Sequence, residues 1–160
     1  MIGKELKGVI LALVLVVGVF GTSMVLFPNT SAEPFSAIAL LGQNQTFASY
    51  PSNVTINQPF TLYVLVSNHE GSVEYYSVFA KLAGPSSVND TLPLSAPVLT
   101  SFDRAIMNDQ NYTWRGDFQL GNPGRFRLVF ELWSLDTSLG ALQYTGRFVQ
   151  LWINVVPATV

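Results

Sequence analysis

The chain has 160 residues, with eight basic and ten acidic side chains and a formal net charge of −2. Its lysines and arginines form no cluster in the sequence, which excludes the basic patch that a nucleic-acid-binding surface requires. With no cysteine and one histidine, it lacks the ligands of a cupredoxin copper site and of a Cys/His zinc site, and we expect no metal and no cofactor.

An uncharged and largely apolar run at residues 8–27 comes first along the chain. As a helix it spans roughly 30 Å, which matches the hydrocarbon core of a bilayer. Lys4 and Lys7 precede the run, and no lysine or arginine follows it until Lys81. This asymmetry predicts a single-pass protein of the cell membrane, with residues 1–7 in the cytoplasm, the helix in contact with lipid and the C-terminal part outside.

The N-terminal run has two alternative interpretations. A secretory signal would be cleaved after small residues such as those at 30–32, although its apolar core is normally about 7–15 residues long. A pilin-type leader would instead be cut near Gly8, which would make the helix the core of a filament. The mature N-terminus distinguishes the three cases.

A short linker at residues 28–34, with a proline at each end, leads to one exterior domain at residues 35–157. Apolar, β-branched and aromatic runs separated by turn residues predict strands. In chain order they lie at residues 35–42, 60–68, 73–84, 98–107, 112–120, 125–132 and 144–156, with a turn and short strand at 43–50 and a break at 51–53. Seven to nine strands without a helix predict an all-β, antiparallel β-sandwich.

Period-two alternation assigns the two faces of several strands. The predicted inner faces carry Tyr76, Val78, Ala80 and Leu82, then Tyr112, Trp114, Gly116, Phe118 and Leu120, then Phe126, Leu128, Phe130 and Leu132, and finally Val149, Leu151, Ile153 and Val155. The opposite faces carry a second set of large apolar residues, namely Tyr63, Leu65, Tyr75, Phe79, Trp133, Phe148 and Trp152. Only 15 of the 128 residues from 33 to 160 are charged. Exposed aromatics on a surface so poor in charge predict a contact with another protein or with a second copy.

Asn-x-Ser/Thr triplets are more frequent than composition predicts. Ten asparagines and 25 serines and threonines in 160 residues would form fewer than two by chance. The five triplets begin at Asn29, Asn44, Asn53, Asn89 and Asn111. None has proline in the middle, so all five are competent glycosylation acceptors on an exterior domain.

A set of motifs resembles one known family. The motifs are FSAIALLG at 35–42, YPSNVT at 50–55, VLVSNHEG at 64–71 followed by Tyr76, Trp114 with Phe118, and GRFRL at 124–128. Over residues 35–132 they are similar to the domain-of-unknown-function 1616 family. The resemblance implies an extracellular, immunoglobulin-like sandwich on membrane proteins that are largely archaeal, with no activity to carry over. Members often have several membrane helices before this domain, whereas this chain has one predicted helix.

Catalytic motifs are scarce. His69 lies in an Asn-His-Glu-Gly turn, where histidine normally has a turn or capping role rather than a place in a Ser-His-Asp triad. Glu70 and Glu74 are close in sequence, but no cleft is evident for the paired carboxylates of a glycosidase. The tripeptide at residues 115–117 reads Arg-Gly-Asp inside a predicted strand, where we interpret it as coincidence.

These observations predict a non-enzymatic, membrane-anchored exterior β-sandwich that serves as a structural or accessory subunit of a cell-surface or membrane protein assembly. The alternatives are a pilin-like filament subunit and a module that binds sugar or another ligand.

Overall fold

The computed structural model describes residues 33–84 and 91–158. The predicted transmembrane helix at residues 8–27 lies outside these ranges. Within them the chain forms eight strands and no helix, and no segment there qualifies as a membrane-spanning helix. The strands are β1 (Phe35–Leu41), β2 (Asn53–Thr55), β3 (Phe60–His69), β4 (Glu74–Ala83), β5 (Val98–Ile106), β6 (Gln110–Phe118), β7 (Gly124–Asp136) and β8 (Ala141–Val156).

Two sheets make up the sandwich. The smaller sheet has the strand order β1-β3-β6, and the larger has the order β2-β8-β7-β4-β5. This confirms the all-β sandwich. The antiparallel prediction needs one correction, because β2 pairs with β8 in parallel.

The predicted short strand within residues 43–50 is wrong. After β1 the chain folds back on itself, with the Gly42 N–H donating to the Thr46 carbonyl at 2.8 Å and the Gln45 N–H donating to the Gly42 carbonyl at 2.9 Å. These local bonds occupy backbone groups that a strand would use in a ladder. The short strand forms later, as β2, where the sequence indicated a break.

The core lies between the sheets and contains the predicted inner faces. Leu62 and Val64 of β3 are fully buried, as are Val78 of β4 and Phe130 of β7. Phe118 of β6 meets Phe130 across the two sheets, edge to face, with ring centroids 5.6 Å apart. Alternation works here because every second side chain of a strand points to the same side of its sheet.

The two sides of the sandwich differ. On one side β5 and β6 belong to different sheets and are joined by a short turn at residues 107–109, so the chain itself closes the sandwich. Ring contacts reinforce this side: Phe102 lies 6.2 Å from Trp114, and the guanidinium of Arg104 lies 3.8 Å over the ring of Tyr112. On the other side lie β1 and β8, which are not ladder partners.

Candidate interaction surfaces

The outer surface of the five-stranded sheet carries five aromatic side chains, which we call the aromatic face. Its members are Phe79 of β4, Trp133 of β7, and Tyr144, Phe148 and Trp152 of β8. Trp133 lies 5.6 Å from Phe79 and 5.5 Å from Tyr144, measured between ring centroids. Phe148 and Trp152 remain 38% and 46% exposed. This surface therefore offers aromatic side chains held by strands rather than by loops.

The seven predicted contact residues do not lie on one surface. Phe79, Trp133, Phe148 and Trp152 belong to the aromatic face, and Tyr75 lies at the start of β4 with 40% of its surface exposed. Tyr63 and Leu65 belong to the outer side of β3, in the other sheet, where both are half-buried. Alternation along each strand places all seven on outer faces, but only the strand order shows that these faces belong to two different sheets.

A buried charged pair lies beside the aromatic face. The ammonium of Lys81 is 2.9 Å from one carboxylate oxygen of Glu131, whose side chain is fully buried although it points to the outer side of the sheet. Lys81 also donates to the carbonyl oxygen of Leu94 at 2.9 Å, and the Leu94 N–H donates to Glu131. Trp133 donates its indole N–H to the same carboxylate at 3.3 Å.

The pair attaches the connection between β4 and β5 to the sheet. Leu94 packs on Ala83 and Val129 in a small second core, and Leu92 and Ala96 border it. Part of the outer surface is thus covered and cannot bind a partner. Sequence reasoning missed this pair, because Lys81 and Glu131 lie 50 positions apart and no pattern in either strand indicates that a loop covers them.

A polar pocket of about 280 Å³ opens at the end of the sandwich where β1 begins. Its walls include Ser36, Glu70, Glu74, Tyr76 and Arg147. Ser36 donates to Glu70 at 2.5 Å and lies 2.7 Å from the hydroxyl of Tyr76. Burial raises the pKa of Tyr76, against the lowering effect of its hydrogen bond with Ser36, and the nearby Glu70 and Glu74 raise it further. The two glutamates therefore do line a cleft, which the sequence did not indicate.

The other residues singled out from the sequence have structural partners. His69 stacks on Phe35 at 4.7 Å, and its Nδ1 lies 2.9 Å from the carboxylate of Asp109 in the next turn, so it joins two turns. Arg115 and Asp117 lie in β6 and form an exposed ion pair at 3.1 Å. A hydrogen bond from Thr61, followed by one from Arg115, lowers the pKa of Asp117.

No group of three or more His, Asp or Glu side chains that would suit a metal ion occurs within residues 33–84 and 91–158. Three of the predicted glycosylation positions, Asn44, Asn53 and Asn111, are exposed there. Asn29 and Asn89 lie outside the described residues. The exposed positions satisfy the steric condition for sugar attachment on the surface.

Comparisons with known proteins define the family and the fold. The family model for the domain of unknown function DUF1616 matches residues 29–154. No curated protein has a sequence that matches the chain.

Solved structures with the same fold include the CARDB domain of the PF1109 protein from Pyrococcus furiosus. Its crystal structure, in complex with di-metal ions, is 11% identical in sequence with a TM-score of 0.53, over 78% of this chain and 90% of that one. Its solution NMR structure is 12% identical with a TM-score of 0.52, over 78% and 96%. A beta-glucosidase from Listeria innocua is 12% identical over 79% of this chain and 16% of the enzyme, with a TM-score of 0.48. The two CARDB structures show that this chain has the immunoglobulin-like sandwich fold, and they show the fold alone.

Proposed function

The chain belongs to the domain-of-unknown-function 1616 family, and we propose that it is a single-pass membrane protein whose exterior immunoglobulin-like domain is a structural or accessory subunit of a cell-surface assembly. In this proposal the helix at residues 8–27 anchors the domain, and the domain acts by contact rather than by catalysis. The observation that carries it is the aromatic face.

The aromatic face has the properties of a contact surface. Aromatic residues are enriched in the centres of protein interfaces, where charged residues are depleted. Phe148 and Trp152 are exposed on the same side of β8, and Trp152 is covered in part by the guanidinium of Arg125, 4.8 Å from its ring centroid. Because these side chains project from a paired strand, they lose little conformational freedom when a partner covers them.

Anchoring strengthens such a contact. A helix in the membrane confines the domain to two dimensions and raises its effective concentration towards other membrane proteins, so that a weak contact is sufficient for assembly.

The proposal is tested by two paired substitutions in the full chain, extracted from native membranes in mild detergent. Phe148→Ser with Trp152→Ser removes the exposed aromatics of the aromatic face, and Tyr63→Ser with Leu65→Ser is the matched control on the opposite sheet. We expect the first variant to lose its co-purifying proteins and the control to retain them. Equal recovery by both variants, with no self-association of either, refutes the role of this face.

Membrane topology has its own test. Protease added to intact cells should remove residues 28–160 and leave the anchor, because Lys4 and Lys7 keep the N-terminus inside. A domain that survives this treatment contradicts the proposed orientation.

A further inference from the structure

An apolar groove of about 470 Å³ runs between β1 and β8, on the side of the sandwich where these two strands are not ladder partners. Its lining includes Ile38, Leu40, Tyr50, Phe148, Val149 and Leu151. Phe47 also lines it and is 72% exposed. An apolar groove bordered by an exposed phenylalanine is a binding feature rather than a packed core.

Both walls of the groove are sheet edges. Within the part of the chain that the structure describes, β1 pairs with β3 alone, and β8 pairs with β7 along its length and with β2 only at Asn154–Val156. An edge strand directs half of its backbone N–H and C=O groups away from its partner. The groove therefore lies between two rows of backbone groups that have no ladder partner among residues 33–84 and 91–158.

The direction of these groups follows from contacts at the ends of the strands. The Asn154 N–H donates to the Ser52 carbonyl at 2.9 Å, on the side away from β7. Because the register from Arg147 to Val155 is regular and backbone groups alternate along a strand, the N–H groups of Phe148, Gln150 and Trp152 point to the same free side.

β1 also directs alternate backbone groups away from its ladder partner. The Tyr50 hydroxyl donates to the Leu40 carbonyl at 2.7 Å, which shows that Leu40 directs its backbone away from β3. By alternation Ser36 and Ile38 do so as well. Tyr50 and β2 thus cover one end of the two edges, and no other described residue pairs with the remainder.

Charge distinguishes the other end of the groove. The strands lead from Ile38 and Val149 to Ser36 and Arg147, which line the polar pocket with Glu70 and Glu74. Two carboxylates and one guanidinium leave a local excess of negative charge. This end therefore complements a basic side chain, whose aliphatic stem would lie along the apolar part.

We propose that the groove binds an extended segment of a partner polypeptide by β-strand addition. The segment has apolar residues at alternate positions, which fill the groove, and a lysine or arginine that reaches Glu70 and Glu74. Backbone hydrogen bonds to β8 supply affinity, and the groove supplies selectivity for the alternating pattern. The groove shares Phe148 with the aromatic face, but the substitutions that test the groove leave the side chains of Phe148 and Trp152 in place. Loss of peptide binding would therefore leave the proposed accessory role standing.

The test uses the full chain in detergent micelles and a fluorescent peptide of about eight residues in which valine alternates with threonine and one end carries lysine. Binding is measured by anisotropy, and hydrogen exchange of single backbone amides is followed by NMR. On saturation we expect exchange at Phe148, Gln150 and Trp152 to slow by at least about tenfold. A peptide with glutamate in place of the lysine should bind more weakly.

Gln150→Pro removes one free-side N–H without removing a ladder bond, which is the way an edge strand tolerates proline. Gln150→Ala is the matched control, because it also loses the side-chain bond to Arg127 but keeps the N–H. We expect the proline variant to bind the peptide at least about fivefold more weakly than the alanine variant, as a lost hydrogen bond predicts. Phe47→Ser, at a position that is 72% exposed, gives a second test that does not disturb the core.

Four results overturn the proposal. Amides of Phe148, Gln150 and Trp152 that are already protected in the monomer without peptide would mean that this chain fills its own groove. Protection that arises only with self-association would mean that a second copy fills it. Equal affinity of the two Gln150 variants, or no effect of Phe47→Ser, would show that the peptide binds elsewhere.

Discussion

Replacement of Lys81 by methionine tests how the connection between β4 and β5 is held. Methionine keeps most of the side-chain volume and removes the ammonium. The carboxylate of Glu131 then stays fully buried with two donors, the Leu94 N–H and the Trp133 indole, and without a countercharge.

The magnitude follows from burial. The side chains of Lys81 and Glu131 are 10% and 0% exposed, so solvent screens the pair little. Removing one partner of such a pair costs about 3–5 kcal/mol, because the other charge is left uncompensated. A domain of this size has about 5–15 kcal/mol of stability in total. The single substitution is therefore expected to remove a large part of it.

A second substitution separates the charge from the hydrogen bonds. With Glu131→Gln added to Lys81→Met, no buried charge remains. The amide oxygen can replace the carboxylate oxygen that accepts from the Leu94 N–H, whereas the amide nitrogen replaces the oxygen that accepts from Trp133, so that weaker bond of 3.3 Å is lost. The Leu94 carbonyl, which accepts a hydrogen bond from Lys81 in the wild type, loses its donor. This loss lowers the free energy of unfolding by about 1–3 kcal/mol. The double variant should thus be more stable than Lys81→Met alone.

Urea unfolding of the full chain in micelles, followed by tryptophan fluorescence, measures the wild type and both variants. The reasoning is refuted if Lys81→Met costs less than about 1 kcal/mol, or if the double variant is no more stable than the single one. Either result would mean that water reaches the pair and that the connection is held by Leu94 packing alone.

Three further predictions concern other parts of the domain. Gly42→Ala should lower the free energy of unfolding by at least about 2 kcal/mol in a urea titration. An added Cβ there would lie 2.1 Å from the Ala48 carbonyl oxygen. Gly84→Ala is the control and should be nearly neutral, because its Cβ would meet a side-chain atom of Phe126 at 3.9 Å. Burial raises the pKa of Tyr76 above its unfolded value of 10.0. The stability that its protonated hydroxyl contributes is therefore complete below about pH 10 and is lost as pH rises through the folded pKa. Tyr76→Phe should reduce this loss of stability at alkaline pH in unfolding curves. Intact-mass spectrometry of native protein should show at least two glycans, and a mass equal to the bare chain would contradict glycosylation at Asn44, Asn53, Asn89 and Asn111.

The strands that were best predicted from the sequence are those in which an apolar face alternates with a polar face. In β6 the alternation of Trp114, Gly116 and Phe118 with charged neighbours states directly which side is buried, because the period of a strand is fixed by its pleat. In β7 the same alternation from Phe126 to Leu132 marks the inner face, although the outer-facing Arg127, Val129 and Glu131 are buried there as well. Such patterns are local, so they can be recognised in one sequence without knowing how its strands pair.

Pairing between distant segments was not predictable in this way. β2 has only three residues, Asn53–Thr55, and exists because β8 supplies its partner more than 90 positions later. The separation of Tyr63 from Phe148 likewise depends on strand order, since both belong to apolar outer faces in the sequence. The pair of Lys81 and Glu131 depends on a loop that covers a sheet, and loop placement leaves no periodic signal.

The distribution of charge connects the two proposed surfaces. Several basic side chains are already engaged: Arg115 with Asp117, Arg104 on Tyr112 and Arg125 on Trp152. Exposed ion pairs are worth about 0–1 kcal/mol, so a partner gains little by replacing them. Affinity must then come from apolar area at the aromatic face and from backbone hydrogen bonds at β8. Binding at the aromatic face should therefore vary little between low and high salt, whereas the peptide in the groove should respond to salt through its lysine near Glu70 and Glu74.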